Sequence, residues 1–586
     1  MRKYYKNDLI VDKNRIKLMQ IIFAIFFVML FIVLLNMQVL DGHDSTFASD
    51  LKEATRSTPV QRGNIYFTDK QGQLTPVAIN KVYKTIYADP AILKKENNTE
   101  KAVSVLSSIL ELDEQNLREK FNKENSRYEL LVKKTENDFI TKQIEALKIN
   151  GIFVEESFDR YYPFGTLASH VIGFMSETQE DTKKVGRYGL ERYYNDALEG
   201  KEGVLVGFRD GLGSIIRSLR TKEQMAVNGA SLVTTIDKNI QYQADLEVKN
   251  LVETRIASSG SIIVMDPKTG KILALSNYPN YDLNNFSKVK NYSVYKNYAV
   301  EDAIEIGSVV KVLTMSAGID AGVVSPNTTY QDKGYVTLNN RTIKNFRNEV
   351  YNKVDMTKVL EKSINTGSIF VSQQLGKEKF FDYLKRYKLN KRTGIDLANE
   401  GQGSYTNIER KHATAVDFAT ASYGHGITVT PLSLLRAYAA IANGGEMVTP
   451  YIVEALKQPD GEFSAINKQE LVSERVISKE TAKTIKDMMV SVVEHGYGSR
   501  AKIPGYLMAG KTGTADIVYQ GKYSNDTIQT FAGFFPANDP KVAMLVLIDR
   551  PAIGEAASGT VTLGFRNLAR FIINYYNIPP TENLNN

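Results

Sequence analysis

The chain has 586 residues, too many for one compact core, and its 43% hydrophobic and 24% charged side chains are those of ordinary globular domains. A net charge of +7 is modest for that length, and no basic tract is interleaved with aromatics, so no nucleic-acid partner is expected. There is no cysteine, which excludes disulfides and thiolate catalysis, and the 5 histidines show no metal-ligand spacing, so no metal and no cofactor is expected.

Residues 1–17 carry Arg2, Lys3, Lys6, Lys13, Arg15 and Lys17 against Asp8 and Asp12. An uninterrupted apolar run follows, Ile21 to Leu35, inside a mostly apolar 18–40. At ~1.5 Å per residue a helix over that stretch reaches about 34 Å, enough to cross a hydrocarbon core of ~30 Å. The basic flank predicts a cytoplasmic tail over 1–17, a lipid-embedded helix over 18–40, and all later residues outside the plasma membrane. Asn36-Met37-Gln38-Val39-Leu40 lacks a small-x-small cleavage pattern, which favours an uncleaved single-pass anchor over a signal peptide.

Residues 41–222 read as a mixed α+β interaction domain. Arg62-Gly63-Asn64-Ile65-Tyr66 suggests a strand, Asp69-Lys70-Gln71-Gly72 a turn, and 99–150 a helical stretch spaced by Val103, Leu106, Ile109 and Leu110. No serine, histidine or acid cluster there has catalytic spacing. From 223 to 576 the texture changes. Ser261–Met265 and Lys271–Leu275 flank Asp266-Pro267-Lys268-Thr269-Gly270 as a β-hairpin, helical segments fill the middle, and Thr530–Phe535 and Val542–Ile548 read as buried strands before a helix from Thr562 to Tyr576. This order predicts an antiparallel sheet sandwiched by helices, followed by a polar tail over 577–586.

Chemistry enters at Glu305-Ile306-Gly307-Ser308-Val309-Val310-Lys311, which leads into the apolar Val312 to Ile319. Residues three apart share a helix face, so the Ser308 hydroxyl and the Lys311 amine can meet, as a serine activated by a neutral lysine requires. Such a pair alone carries little weight: it recurs at Ser49–Lys52, Ser287–Lys290, Ser293–Lys296 and Ser499–Lys502, and Lys268-Thr269-Gly270 is a turn. The signal is the order in which Ser363-Ile364-Asn365 and then Lys511-Thr512-Gly513-Thr514 follow, the last ahead of two strands. Gly505 to Thr512 also fits a formal phosphate-loop spacing. It lacks the strand before and the helix after, and Tyr506-Leu507-Met508 is too bulky to wrap a phosphate.

The ordered set resembles the penicilloyl-serine transferases. Arg160-Tyr161-Tyr162-Pro163, Ala168, His170, Gly173, Gly189-Leu190-Glu191, Thr235-Ile236-Asp237, Thr393 to Leu397, Gly424 to Leu432 and Ala509 to Ala515 extend the resemblance to class B penicillin-binding proteins over about residues 56–570. Ile306 stands where that family often has proline, and His425 where glutamine is common; His425 is read as structural, since nothing pairs it with a serine.

The resemblance implies a multi-domain α+β protein: a single transmembrane helix, an elongated mixed pedestal over 41–222, and a transpeptidase domain with a five-stranded antiparallel sheet flanked by helices. Lys311 would take the Ser308 proton, its affinity lowered from the ordinary ~10.4 by burial and by Lys511. Ser308 would attack a peptide carbonyl, Ser363 would relay the proton to the leaving amine, and Asn365 would hold the substrate amide. Thr512, Gly513 and Thr514 would bind substrate, with Lys511 and the two threonines on its terminal carboxylate. The backbone N–H groups of Ser308 and Thr514 would form the oxyanion hole.

The implied substrate is a peptidoglycan stem peptide ending in D-Ala-D-Ala, cross-linked to a neighbouring stem with release of D-alanine, with β-lactams trapping Ser308 and no cofactor. The rivals are a DD-carboxypeptidase, in which water replaces the acceptor amine, and a non-catalytic β-lactam sensor or scaffold. A class A β-lactamase would be shorter and carry an ExxLN motif, which is missing between Ser363 and Lys511. The implied partners are a polytopic membrane glycosyltransferase and other divisome or elongasome proteins, the short interval from Gly173 to Gly189 favouring division.

Overall fold

The computed structural model describes residues 13–35, 53–58, 60–124, 126–178, 184–209, 215–216, 222–465, 474–519, 522–554 and 556–581. Of the expected segments, 1–12 of the tail, 36–40 of the membrane span, 41–52, 59, 125, 179–183, 210–214 and 217–221 of the pedestal, 466–473, 520–521 and 555 of the following domain, and 582–586 of the C-terminal tail lie outside the described residues. The chain forms two compact units, Met1–Val60 with Lys201–Val227, and Gln61–Gly200 with Asn228–Asn586.

In the first unit, helix α1 covers Lys13–Leu35. Its Ile16–Leu35 stretch is long and apolar enough to cross a membrane and is 0% buried. The apolar side chains are exposed all round instead of forming one stripe, which suits a lipid surround. It is the one such helix among the described residues. The same unit holds a small antiparallel sheet with Gly203–Arg209 between Glu53–Thr58 and Lys222–Gln224.

In the second unit, Ile65–Thr68 pairs parallel with Ser231–Asp237, which pairs antiparallel with Val453–Lys457. Early and late parts of the chain therefore share one sheet. Its long strand Thr75–Ala88 carries Glu129–Thr135 and Ile152–Tyr161. The helical reading of 99–150 needs correction here. Helices Thr99–Leu110, Glu114–Asn122 and Asp138–Ala146 are present, but Glu129–Thr135 is a strand. Its start alternates buried Glu129 and Leu131 with half-buried Leu130 and Val132, a period of two that a charged flank obscures. Glu191, fully buried, receives Arg62 Nε at 2.8 Å and Arg160 Nε at 2.6 Å, tying three distant segments to one carboxylate.

The second sheet is wholly antiparallel. In chain order its strands are β1 (Ser259–Met265), β2 (Ile272–Tyr278), β3 (Ala509–Tyr519), β4 (Lys522–Phe535) and β5 (Val542–Asp549), arranged β2-β1-β5-β4-β3. The hairpin expected about Asp266–Gly270 joins β1 to β2, with Asp266 Oδ1 accepting from the Lys268 N–H at 2.8 Å. Helices α2 (Lys238–Arg255) and α6 (Val561–Tyr576) cover one face, where Ile262, Val264, Met544, Val546 and Ile548 join their core. The alternate residues Ile263, Met265, Leu545 and Leu547 face a second core with α3 (Lys311–Asp320) and α5 (Pro431–Ala442); α4 (Asn365–Leu375) belongs to the same helical layer. A sheet buried on both faces needs apolar residues at successive positions, which is why these strands read as unbroken runs. Strand β3 is an edge, so one row of its backbone groups is left unpaired by any neighbouring strand.

Candidate active site

Ser308 stands in a 3-10 turn, Gly307–Val310, that runs straight into α3. In 3-10 geometry residues three apart are eclipsed, so Ser308 and Lys311 rise on the same side. Gly307 has φ +61°, and a Cβ there would lie 2.9 Å from the Thr514 carbonyl oxygen. Gly513 is equally constrained, since a Cβ there would lie 2.7 Å from the Ile306 carbonyl oxygen. The serine turn is thus pressed backbone to backbone against edge strand β3. From below, Tyr438 of α5 donates to the Val309 carbonyl at 2.7 Å.

Lys311 is 0% exposed. Its Nζ donates to the Ser363 carbonyl (2.5 Å), to Asn365 Oδ1 (2.7 Å) and to Ser363 Oγ (3.2 Å). None of these bonds goes to Ser308 Oγ; the amine is turned toward the Ser363 carbonyl, the Asn365 carboxamide oxygen and the Ser363 hydroxyl. Lys511, also 0% exposed, donates to Ser363 Oγ at 2.9 Å and to the Thr512 carbonyl at 2.9 Å. Ser363 Oγ therefore lies between two buried amines brought in from α3 and β3.

Ser363 has φ +54°, in the left-handed region, a strain of about 1 kcal/mol or more for a residue with a Cβ. It fills the joint between helix Met356–Glu361 and α4, whose first residue is Asn365. Asn365 Nδ2 donates to the Lys344 carbonyl at 3.0 Å, which leaves its carbonyl end for Lys311. The start of α4 is fixed by the buried Asp332, which accepts from Thr366 Oγ1 at 2.7 Å, from Asn345 Nδ2 at 3.1 Å and from the Tyr351 N–H at 2.8 Å. Sequence reasoning missed Asp332, Lys344 and Tyr438. They act through backbone groups or through neutral donors, and no spacing along the chain announces that.

Along β3, Thr512 and Thr514 are two apart and share one face. Thr514 Oγ1 accepts from the Ala557 N–H at 3.3 Å, so its own proton remains to be donated. The groove thus gathers every residue singled out: Ser308, Lys311, Ser363, Asn365, Lys511, Thr512, Gly513 and Thr514. The other serine–lysine pairs in the described residues lie elsewhere, as with Lys296 on Asp302.

Burial pushes the Lys311 amine well below the ordinary lysine range, and the Lys511 charge adds to the effect. Burial alone brings Lys511 down to about 7. His425 is held neutral, pushed down to about 4 by burial and by Lys311. Its ring lies between Tyr423, at 5.1 Å, and Tyr523, at 5.2 Å. Among the described residues no group of His, Asp and Glu could hold a metal ion.

Residues 260–567 match the family model of the penicillin binding protein transpeptidase domain, and 57–234 that of the penicillin-binding protein dimerisation domain. The chain is 31% identical over 508 residues to stage V sporulation protein D of Bacillus subtilis, covering 85% of this chain and 77% of that protein. It is 30% identical over 588 residues to the peptidoglycan D,D-transpeptidase FtsI of Buchnera aphidicola, covering 98% and 97%. Among solved structures, penicillin binding protein 3 from Mycobacterium tuberculosis, complexed with aztreonam, is similar at a TM-score of 0.69 and 26% identity, over 90% of this chain and 99% of that one.

Proposed function

The chain belongs to the class B penicillin-binding proteins, the peptidoglycan D,D-transpeptidases of cell-wall synthesis, and on that premise we propose that Ser308 is its acylated nucleophile. The neutral Lys311 amine takes the proton from Ser308 Oγ as the oxygen attacks the carbonyl of the penultimate D-alanine. The oxyanion is held by the Ser308 and Thr514 N–H groups. The proton then passes from Lys311 through Ser363 Oγ to the nitrogen of the terminal D-alanine, which leaves. An amine from a neighbouring stem attacks the Ser308 ester, returns the nucleophile to its hydroxyl form and completes the cross-link. Lys511, Thr512 and Thr514 bind the terminal carboxylate, and Asn365 the substrate amide, along the free edge of β3.

The observation that carries this reading is Ser363 Oγ within 3.2 Å of Lys311 Nζ and 2.9 Å of Lys511 Nζ, a relay with a base at one end and a cation at the other. A fluorescent penicillin is expected to label the protein covalently, because a β-lactam ring presents the same acyl group. Ser308→Ala should abolish labelling while leaving the melting temperature unchanged. Persistent labelling of Ser308→Ala would move the nucleophile elsewhere. Supplying purified protein with lipid-linked, polymerised substrate should yield cross-linked stems and free D-alanine; D-alanine with uncross-linked tetrapeptide would mark a carboxypeptidase.

The apolar helix α1 supports a single-pass anchor, with the N-terminus cytoplasmic and the groove outside the plasma membrane. The glycan strand then comes from a polytopic membrane glycosyltransferase of the divisome or the elongasome, and co-purification of that enzyme with the full chain tests the partnership.

A further inference from the structure

We propose that Glu305 is a positioning residue for acyl transfer, its carboxylate clasping the turn that carries Ser308 to the 423–426 loop and to the outer end of the β3–β4 hairpin. This rests on the reading of Ser308 as the acylated residue.

The residues before Ser308 are held by two ladders of different kinds. Backbone bonds tie them to the loop that precedes α5: the Ile304 N–H donates to Val429 O and the Val429 N–H to Ile304 O, each at 3.0 Å, and the Gly307 N–H donates to Gly424 O at 3.3 Å. Glu305 supplies the second, through its side chain. Its Oε1 accepts from the Gly426 N–H at 2.9 Å, and its Oε2 accepts from Tyr523 Oη at 3.2 Å. Tyr523 stands on β4 opposite Val518, beyond Thr514 along the hairpin, and is 52% exposed at the rim. Its ring covers His425, which in turn packs on Tyr423. One carboxylate thus joins three segments, of which one carries Ser308 three residues on and another is the hairpin that carries Thr514. Donors aimed at a developing oxyanion lose their value when they are loosely held, so what fixes the spacing of the serine turn and β3 bears on the rate.

The clasp is strongest with an ionised carboxylate, which accepts from both donors at once. Burial raises the Glu305 proton affinity, and Asp516 of β3 adds to it. The other titratable groups facing this rim are Tyr523 from β4, Tyr423 and His425 from the loop, and Lys311 at the start of α3. Both tyrosines stay protonated and His425 stays neutral at mildly acidic pH, being pushed to about 4. Because the Glu305 affinity is raised, the clasp weakens as pH falls through a value above the ordinary carboxylate range.

The test uses the full chain in detergent and the second-order rate of acylation by a fluorescent penicillin, measured across the acidic to mildly alkaline range. Glu305→Gln keeps the shape and removes the charge; it should acylate about tenfold more slowly at neutral pH, the loss of a hydrogen bond to a charged group. The ratio of wild type to Glu305→Gln should fall toward one as pH drops, because the wild-type carboxylate is then protonated too. Lys311 titrates in both proteins, so the ratio removes its contribution. Tyr523→Phe, at an exposed position that does not threaten folding, should slow acylation with the same pH-dependent ratio, and adding it to Glu305→Gln should cost little more. A ratio that is flat with pH, or two substitutions that multiply independently, overturns the clasp. An unlabelled wild type would instead overturn the acyl-enzyme reading on which it rests.

Discussion

At the scale of single residues, the groove works by withdrawing two lysines from water and giving them one hydroxyl in common. A lysine kept from solvent holds its proton less tightly, and a second cation nearby loosens it further. Lys311 feels both effects, whereas the Lys511 shift to about 7 is due to burial alone. The proposed mechanism needs Lys311 neutral and Lys511 charged, so acylation should fall at low pH as Lys311 gains its proton and fall again above about 7 as Lys511 loses its own. The two amines meet at Ser363 Oγ, so the limbs of this bell belong to the pair. Lys511→Arg, whose guanidinium stays charged, should flatten the alkaline limb and leave the acid one, read as the pH profile of penicillin acylation. An unchanged alkaline limb would remove Lys511 from the carboxylate-binding role.

Among the elements, the segment around Glu191 shows how local sequence becomes long-range structure. Arg62 Nε and Arg160 Nε reach opposite oxygens of one fully buried carboxylate, and Arg62 Nη2 also donates to the Glu191 carbonyl at 3.0 Å. Glu191→Ala would leave two guanidinium groups buried without their anion. Breaking a buried pair in this way costs about 3–5 kcal/mol, so a marked fall in the urea midpoint of the second unit is expected. A change below about 1 kcal/mol would mean that water reaches the arginines. The strand Glu129–Thr135 makes the complementary point, because its neighbours on Thr75–Ala88 decided a conformation that its charges concealed.

For the whole molecule, α1 stands apart in kind. Its apolar side chains are exposed on all sides, as with Met29 at 66% and Phe31 at 64%. Removing residues 1–35 should move the protein from the membrane fraction to the soluble one while penicillin labelling persists, since every residue of the groove lies in the second unit. Protease added to intact cells stripped of their wall should cut the catalytic part and spare the tail; the reverse pattern would invert the orientation.

Much was written in the chain itself. The uninterrupted apolar run, the hairpin about Asp266–Gly270 and the buried strands near the end follow from periodicity and turn chemistry, which act over a few residues. The serine and the lysines are likewise legible, since chemistry restricts which side chains can stand in such an order. Only the folded chain could decide that Lys311 bonds Ser363 and Asn365, that Gly307 and Gly513 let the serine turn press on β3, and that Glu305 meets Tyr523. Those contacts join residues dozens to hundreds of positions apart. Closing such loops is a property of the packed core, and no local pattern encodes it.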